Sequence, residues 1–195
     1  MHRRSLVTLL LVLVAIPLSA SQFIDQPFDR VARESSLVIR GTVGHTWSAW
    51  DDAHEVIYTY ATVSVKRYFG ELTGPDTLVI REAGGTVDGY TMEAIGFPEL
   101  RSGEDVVLLL ARWQDSADYR IHAFNQGKFL VRNRGGVEVL ISDPVKQGDT
   151  RLSGRDGRVS ANAADDEGPS FTVDEFVQMV DAARAGHDVE IQKRH

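Results

Sequence analysis

Carboxylates, imidazoles and indoles are the side chains of this sequence whose chemistry could make a site. One stretch collects all three: His45-Thr46-Trp47-Ser48-Ala49-Trp50-Asp51-Asp52, followed by His54 and Glu55. Two tryptophans three residues apart beside two acids could anchor a partner, because large amphipathic rings dominate binding hot spots. The same rings could instead close the end of a core, and that reading is favoured because tryptophan is usually largely buried. Trp47, Trp50, Asp51 and Asp52 are therefore the candidate binding residues, placed by the sequence in a loop between strands. A hard or borderline metal held by His45, Asp51, Asp52 and His54 is the chemical alternative, and a polar turn explains the same residues more simply.

Other carboxylates, Glu82, Asp88, Glu93, Glu99, Glu104 and Asp105, are scattered along the chain. Acid/base catalysis would need two of them in environments that push their pKa values apart. The simpler expectation is that they are solvated strand ends. No pair of histidines has the H-x-x-x-H spacing that would hold two imidazoles on one helical face, and there is no G-x-S-x-G elbow. Gly84-Gly85 and Gly135-Gly136 read as hairpin glycines, since no helix N-terminus follows either pair to cradle a phosphate. The chain has no cysteine, which removes thiol nucleophiles, thiolate metal sites and disulfides together. No catalytic residue, metal ligand or cofactor is assigned, and a non-enzymatic binding module for a protein or peptide partner is expected. A secreted metal-dependent or carboxylate-based hydrolase using the His45–Glu55 loop is one alternative. A structural component of the cell envelope is another.

The elements that must position these groups are mostly strands. From Leu37 the apolar period is two, in the runs LVIRGTVG, VIYTYATVSVKRYF, TLVIRE, TVDGYTMEAI, DVVLLLAR, DYRIHAF, GKFLVR and GVEVLI. Ile57, Ala61, Val63 and Val65 share one face, and Thr62, Ser64 and Lys66 the other. Tyr58 and Tyr60 share that second face and are expected to lie under a C-terminal helix. The continuous apolar run Val106–Leu110 suits a central strand covered on both faces. Asn133-Arg134-Gly135-Gly136 reads as a hairpin turn, and antiparallel pairing follows. Two helices flank the strands. Phe28, Val31 and Ala32 have i, i+3, i+4 spacing, while Thr172 and Glu175 form a capping box ahead of the stripe Phe176, Val177, Val180 and Ala183, which Gly186 ends.

The N-terminus has a basic end (Arg3, Arg4), a 13-residue apolar run from Leu6 to Leu18, and the small residues Ser19, Ala20 and Ser21. That order is the grammar of a cleavable signal peptide. As a helix the run would cover roughly 20 Å of a hydrocarbon core about 30 Å thick, too little for a permanent anchor. Cleavage after Ser21 is expected, so the chain is read as exported, periplasmic or extracellular, with no stable membrane anchor. Losing Arg3 and Arg4 leaves a net charge of about −9, which makes nucleic acid a poor partner. The expected organisation is a signal peptide (1–21), a β-barrel domain (22–142), a flexible polar linker (143–169), a helix docked on the barrel (170–186) and a tail (187–195).

The stretch Glu34-Ser-Ser-Leu-Val-Ile-Arg-Gly-Thr-Val43 resembles the opening of netrin-like domains, the OB-fold class that includes tissue inhibitors of metalloproteinases. Tyr58–Leu72 is similar to their second strand with its K-x-x-(F/Y)-(K/R)-G ending, matched at Lys66, Phe69 and Gly70. Thr77–Arg81 and Gly103–Leu110 extend the likeness over about 30–135. Gly84–Glu104, Gln126–Phe129 and the helix starting F-T-V-D-E-F also resemble a group of exported bacterial proteins of unassigned function. What the resemblance implies is a fold and a compartment: mainly β, an OB-fold or netrin-like antiparallel barrel with a short N-terminal helix and a C-terminal helix. The inhibitors grip zinc through an N-terminal cysteine, so a chain without cysteine cannot inherit that mechanism.

Overall fold

The computed structural model describes residues 26–114, 116–142 and 170–189. The expected signal peptide, the expected linker and residues 190–195 lie outside these. Among the described residues no helix is long and apolar enough to cross a membrane.

The apolar run Val106–Leu110 organises the fold. It forms β6 (Asp105–Arg112), and all five of its apolar side chains are buried to 0% exposure. Side chains alternate across a strand. Val106, Leu108 and Leu110 therefore enter one core, while Val107 and Leu109 enter another on the opposite face. The first core fills a closed five-stranded barrel. Its members are β1 (Leu37–Trp50), β2 (Ile57–Tyr68), β3 (Thr77–Ala83), β7 (Tyr119–Ile121) and β6, with β1 and β6 pairing to complete the ring. All pairings in the ring are antiparallel except β3 with β7, which meet in parallel at Ile80 and Tyr119.

One edge of β6 serves two neighbours. Residues 110–112 pair with β7 and close the barrel, while residues 106–108 pair with β8 (Lys128–Arg134). From β8 the sheet continues through β9 (Val137–Ser142) to β10 (Ser170–Thr172). This extension, with the outer face of β6, carries the second core, which is roofed by α1 (Phe28–Glu34) and α2 (Val173–Arg184). Helix α1 buries Phe28, Val31 and Ala32, the three residues its spacing put on one face. Helix α2 starts with the capping box: Thr172 accepts from the Glu175 N–H, and the Glu175 carboxylate accepts from the Thr172 N–H. Phe176 sits fully buried with its ring edge-to-face with Phe28, Phe69 and Phe129, at centroid distances of 5.2–5.9 Å.

Four local expectations change. β1 runs on to Trp50, because Thr46–Trp50 stay in register with Ile57–Ala61 of β2, so His45 to Trp50 belong to a strand and not to a loop. The run TVDGYTMEAI breaks into a hairpin of β4 (Gly85–Val87) and β5 (Tyr90–Met92), turning at Asp88 and Gly89, both left-handed as a two-residue turn requires. The run DYRIHAF keeps only β7, since Ala123 and Phe124 take left-handed conformations and lead into a 3-10 turn, Phe124–Gly127. Finally, α2 lies against α1, β9 and β10 and does not cover Tyr58 and Tyr60. Those two rings pack instead against Trp113 and Trp47.

Phe176→Ala removes the ring on which three others converge. A loss of about 3–5 kcal/mol of unfolding free energy is expected by urea denaturation. A loss below about 1 kcal/mol would show that α2 is not an integral part of the fold.

Candidate functional site

The four sequence-derived binding residues share the end of the β1–β2 hairpin but do not form one site. Three residues apart in a strand, Trp47 and Trp50 fall on opposite faces. Neither belongs to a core, so neither ring closes the barrel. Trp47 is 38% exposed on the outer face, and half-buried Trp50 stacks on His54 and meets the edge of Tyr90. The Asp51 carboxylate is occupied in its own turn, accepting from the Glu55 and Val56 N–H groups at 2.7 and 3.0 Å. The Val56 and Glu55 bonds hold its pKa below the usual carboxylate value. Asp52 is exposed in the same turn, and His45 stands beside Trp47 on the outer face of β1. Among the described residues no three His, Asp or Glu side chains are grouped to hold a metal.

The strand register collects a surface that spacing alone did not show. Cross-strand partners share a face. Trp47 is opposite Tyr60, which is opposite Arg81 of β3, and Tyr58 lies two residues from Tyr60 on the same side. His45, Trp47 and Tyr60 stack in a row at 5.5 and 5.3 Å with near-parallel rings. Beyond them the Arg81 guanidinium sits 4.3 Å from the Trp113 ring and 5.0 Å from Tyr58, and exposed Arg120 of β7 lies 5.7 Å over Trp113. Trp113 is fixed by its indole N–H donating to the Arg81 carbonyl at 3.0 Å. Among the described residues, the charged side chains that lie over these rings are cations, on a protein whose net charge is −7.

The inner face makes the second feature. Glu82 follows Leu78 and Ile80 on the inward side of β3, opposite Thr59, and is only 5% exposed. It is thus the buried exception among carboxylates expected at solvated strand ends. Glu104 and Asp105 depart from that expectation as well: Glu104 pairs with Lys128, and Asp105 with Arg40 and Lys66. The Glu82 carboxyl accepts one hydrogen bond, from the Ile121 N–H of β7. Burial pushes its pKa up to about 8, against the opposing pull of that bond and of the Arg120 charge.

Above Glu82 a cleft of about 850 Å³ opens at the mouth of the barrel, between the β4–β5 hairpin, the segment 93–101 and Asn125. Close backbone approach shapes its walls. A Cβ on Gly85, whose φ is +136°, would come within 2.5 Å of the Ser48 and Thr59 hydroxyls, so only glycine lets the hairpin fold over the mouth. Lys128, 1% exposed, reaches up from β8 and donates to the Glu104 carboxylate at 3.0 Å and to the Glu99 carbonyl, pinning the lip. The left-handed pair Ala123 and Phe124 presents Asn125, whose buried Oδ1 has no hydrogen-bond partner among the described residues.

No protein-family profile matches the chain, and no curated protein matches it significantly.

Glu82 gives the fold a pH signature. Unfolded, its carboxyl ionises near 4.5; folded, it holds its proton up to about 8. Between those values the folded state carries the extra proton. Its contribution to stability is therefore full below pH 4.5 and falls by up to about 1.4 kcal/mol per pH unit until pH 8. Glu82→Gln is expected to remove this part of the pH dependence and to stabilise the protein at pH 8, read by urea melts across that range. An unchanged slope would contradict a buried, proton-holding Glu82.

Proposed function

We propose that this chain is an exported, non-enzymatic binding module of netrin-like OB type, which engages a protein partner through the outer band of its barrel. The observation that carries the reading is the outer row in which exposed His45 and Trp47 stack on half-buried Tyr60 and lead to half-buried Arg81 and Trp113 and exposed Arg120. Tryptophan, tyrosine and arginine supply most of the energy at protein interfaces, and this face orders them on rigid strands before any partner arrives. Stacking holds the rings in place, so little rotamer entropy remains to be lost on binding. Because the charged members are cations, the fitting partner is a protein segment carrying carboxylates beside apolar side chains. Export is supported by the basic, apolar and small-residue order of the first 21 residues. Of the residues singled out by spacing, Trp47 belongs to this face. Asp51 shapes the turn behind it.

The test places a photo-crosslinking residue at position 47 and, as a control, at exposed Val137 of β9. A discrete adduct from position 47 alone is expected in an envelope extract, with Arg120→Glu reducing its yield about tenfold or more, as reversing a charge at a complementary contact does. Equal adducts from both positions, or a yield indifferent to Arg120→Glu, would remove the band as the interface.

A further inference from the structure

The cleft at the barrel mouth is separate from the outer band, and its chemistry points to a small ligand. Its volume, about 850 Å³, lies within the range of small-molecule sites. Its walls are apolar at Met92, Ile95, Phe97 and Leu100, and Ile95 is 68% exposed at the rim. At the floor the second oxygen of the Glu82 carboxyl has no hydrogen-bond partner, the Ile121 N–H binding the first, and the wall includes Asn125, whose Oδ1 is buried and unpaired among the described residues. Once the proton leaves Glu82, its free oxygen is a charged acceptor at the floor of an apolar cleft, which a donor-bearing cation would satisfy.

We propose that the cleft binds an organic cation, a primary ammonium or guanidinium group on an apolar stem, whose N–H donors meet the Glu82 carboxylate while the stem lies along Met92, Ile95 and Phe97. The charged and titratable groups around Glu82 are few. β1 and β2 bring no charged group, only the hydroxyls of Thr46, Ser48 and Thr59, the hairpin Thr91 and the 3-10 turn Asn125; the lip bears Glu93, Glu99, Arg101 and the Glu104–Lys128 pair, and β7 brings Arg120. Arg101 is bound to the Glu99 carboxylate at 2.8 Å. An empty cleft keeps the Glu82 proton, and a bound cation displaces it to solvent. Affinity therefore rises with pH, about tenfold per unit below pH 8, and levels off above it. The proposal does not depend on the outer band being an interface.

Calorimetry of the full chain with n-hexylammonium tests this, with uncharged n-hexanol as the isostere; an alkylammonium stays charged up to about pH 10. At pH 8 hexylammonium is expected to bind at least about tenfold tighter than hexanol, and at pH 7 its binding is expected to release about 0.9 proton, measured in buffers of different ionisation enthalpy. Glu82→Gln, checked for folding by its thermal melt, should abolish both the preference and the proton release while leaving hexanol binding unchanged. The proton count on the unmodified chain stands even if that variant fails to fold. A blocked Gly-Lys-Gly peptide compared with hexylammonium separates a protein-borne lysine from a free amine as the source of the cation. Equal affinity for hexanol and hexylammonium, no proton release at pH 7, or no hexylammonium binding at millimolar concentration would overturn the proposal.

Discussion

The burial of β6 on both faces is the constraint on which the rest of this structure depends. A strand with alternating polarity can serve one core. Val106–Leu110 has no polar face to give to water, so it must be sandwiched. The barrel interior takes three of the five side chains and the helix-roofed core takes two, which makes β6 a common wall. Because the wall is shared, the two halves cannot shift independently. An opening of α2 away from Val107 and Leu109 would expose the back of the strand whose front holds the barrel closed.

That wall also sets up the cleft. The edge of β6 hands three residues to β7, and β7 bridges to β3 through one parallel contact, so the ring closes at its shortest strand. At that closure the Ile121 N–H meets the carboxyl of Glu82. A carboxylate at that point would be desolvated, with one backbone donor and a nearby guanidinium to offset the cost, and retaining the proton is the cheaper solution. The same closed ring that excludes water from Leu78 and Ile80 therefore keeps Glu82 neutral. Outside, the alternate residues of the same strands carry the ordered rings and cations. One register builds both surfaces, the inner one ending in a buried carboxyl and the outer one in ordered rings and cations.

Much of this fold is legible in the sequence, because its signals are local. The capping box at Thr172 and Glu175, the stripe on α2, the spacing in α1 and the unbroken apolar run of β6 all report their own burial. What spacing misreads is where a strand stops. His45 to Trp50 looks like a polar loop, yet cross-strand pairing with Ile57–Ala61 holds it extended, and that places Trp47 and Trp50 on opposite faces. Partners from distant strands are equally invisible along the chain: Arg81, Trp113 and Arg120 join the tryptophan row only through register and closure. Glu82 did have a signal. In TLVIRE the inward positions read Leu78, Ile80, Glu82, an acid continuing an apolar face, and period two marks it as a buried carboxyl rather than a strand end.

Both the cleft and the closed ring require a barrel dry enough to hold a proton on Glu82. Carbon-13 NMR of the glutamate side-chain carboxyls, with the Glu82 signal identified by its absence from Glu82→Gln, measures this directly. A titration midpoint near pH 8 is expected. A midpoint near 4.5, the value of an unburied glutamate, would mean that water reaches the carboxyl and that the mouth of the barrel is not built as described.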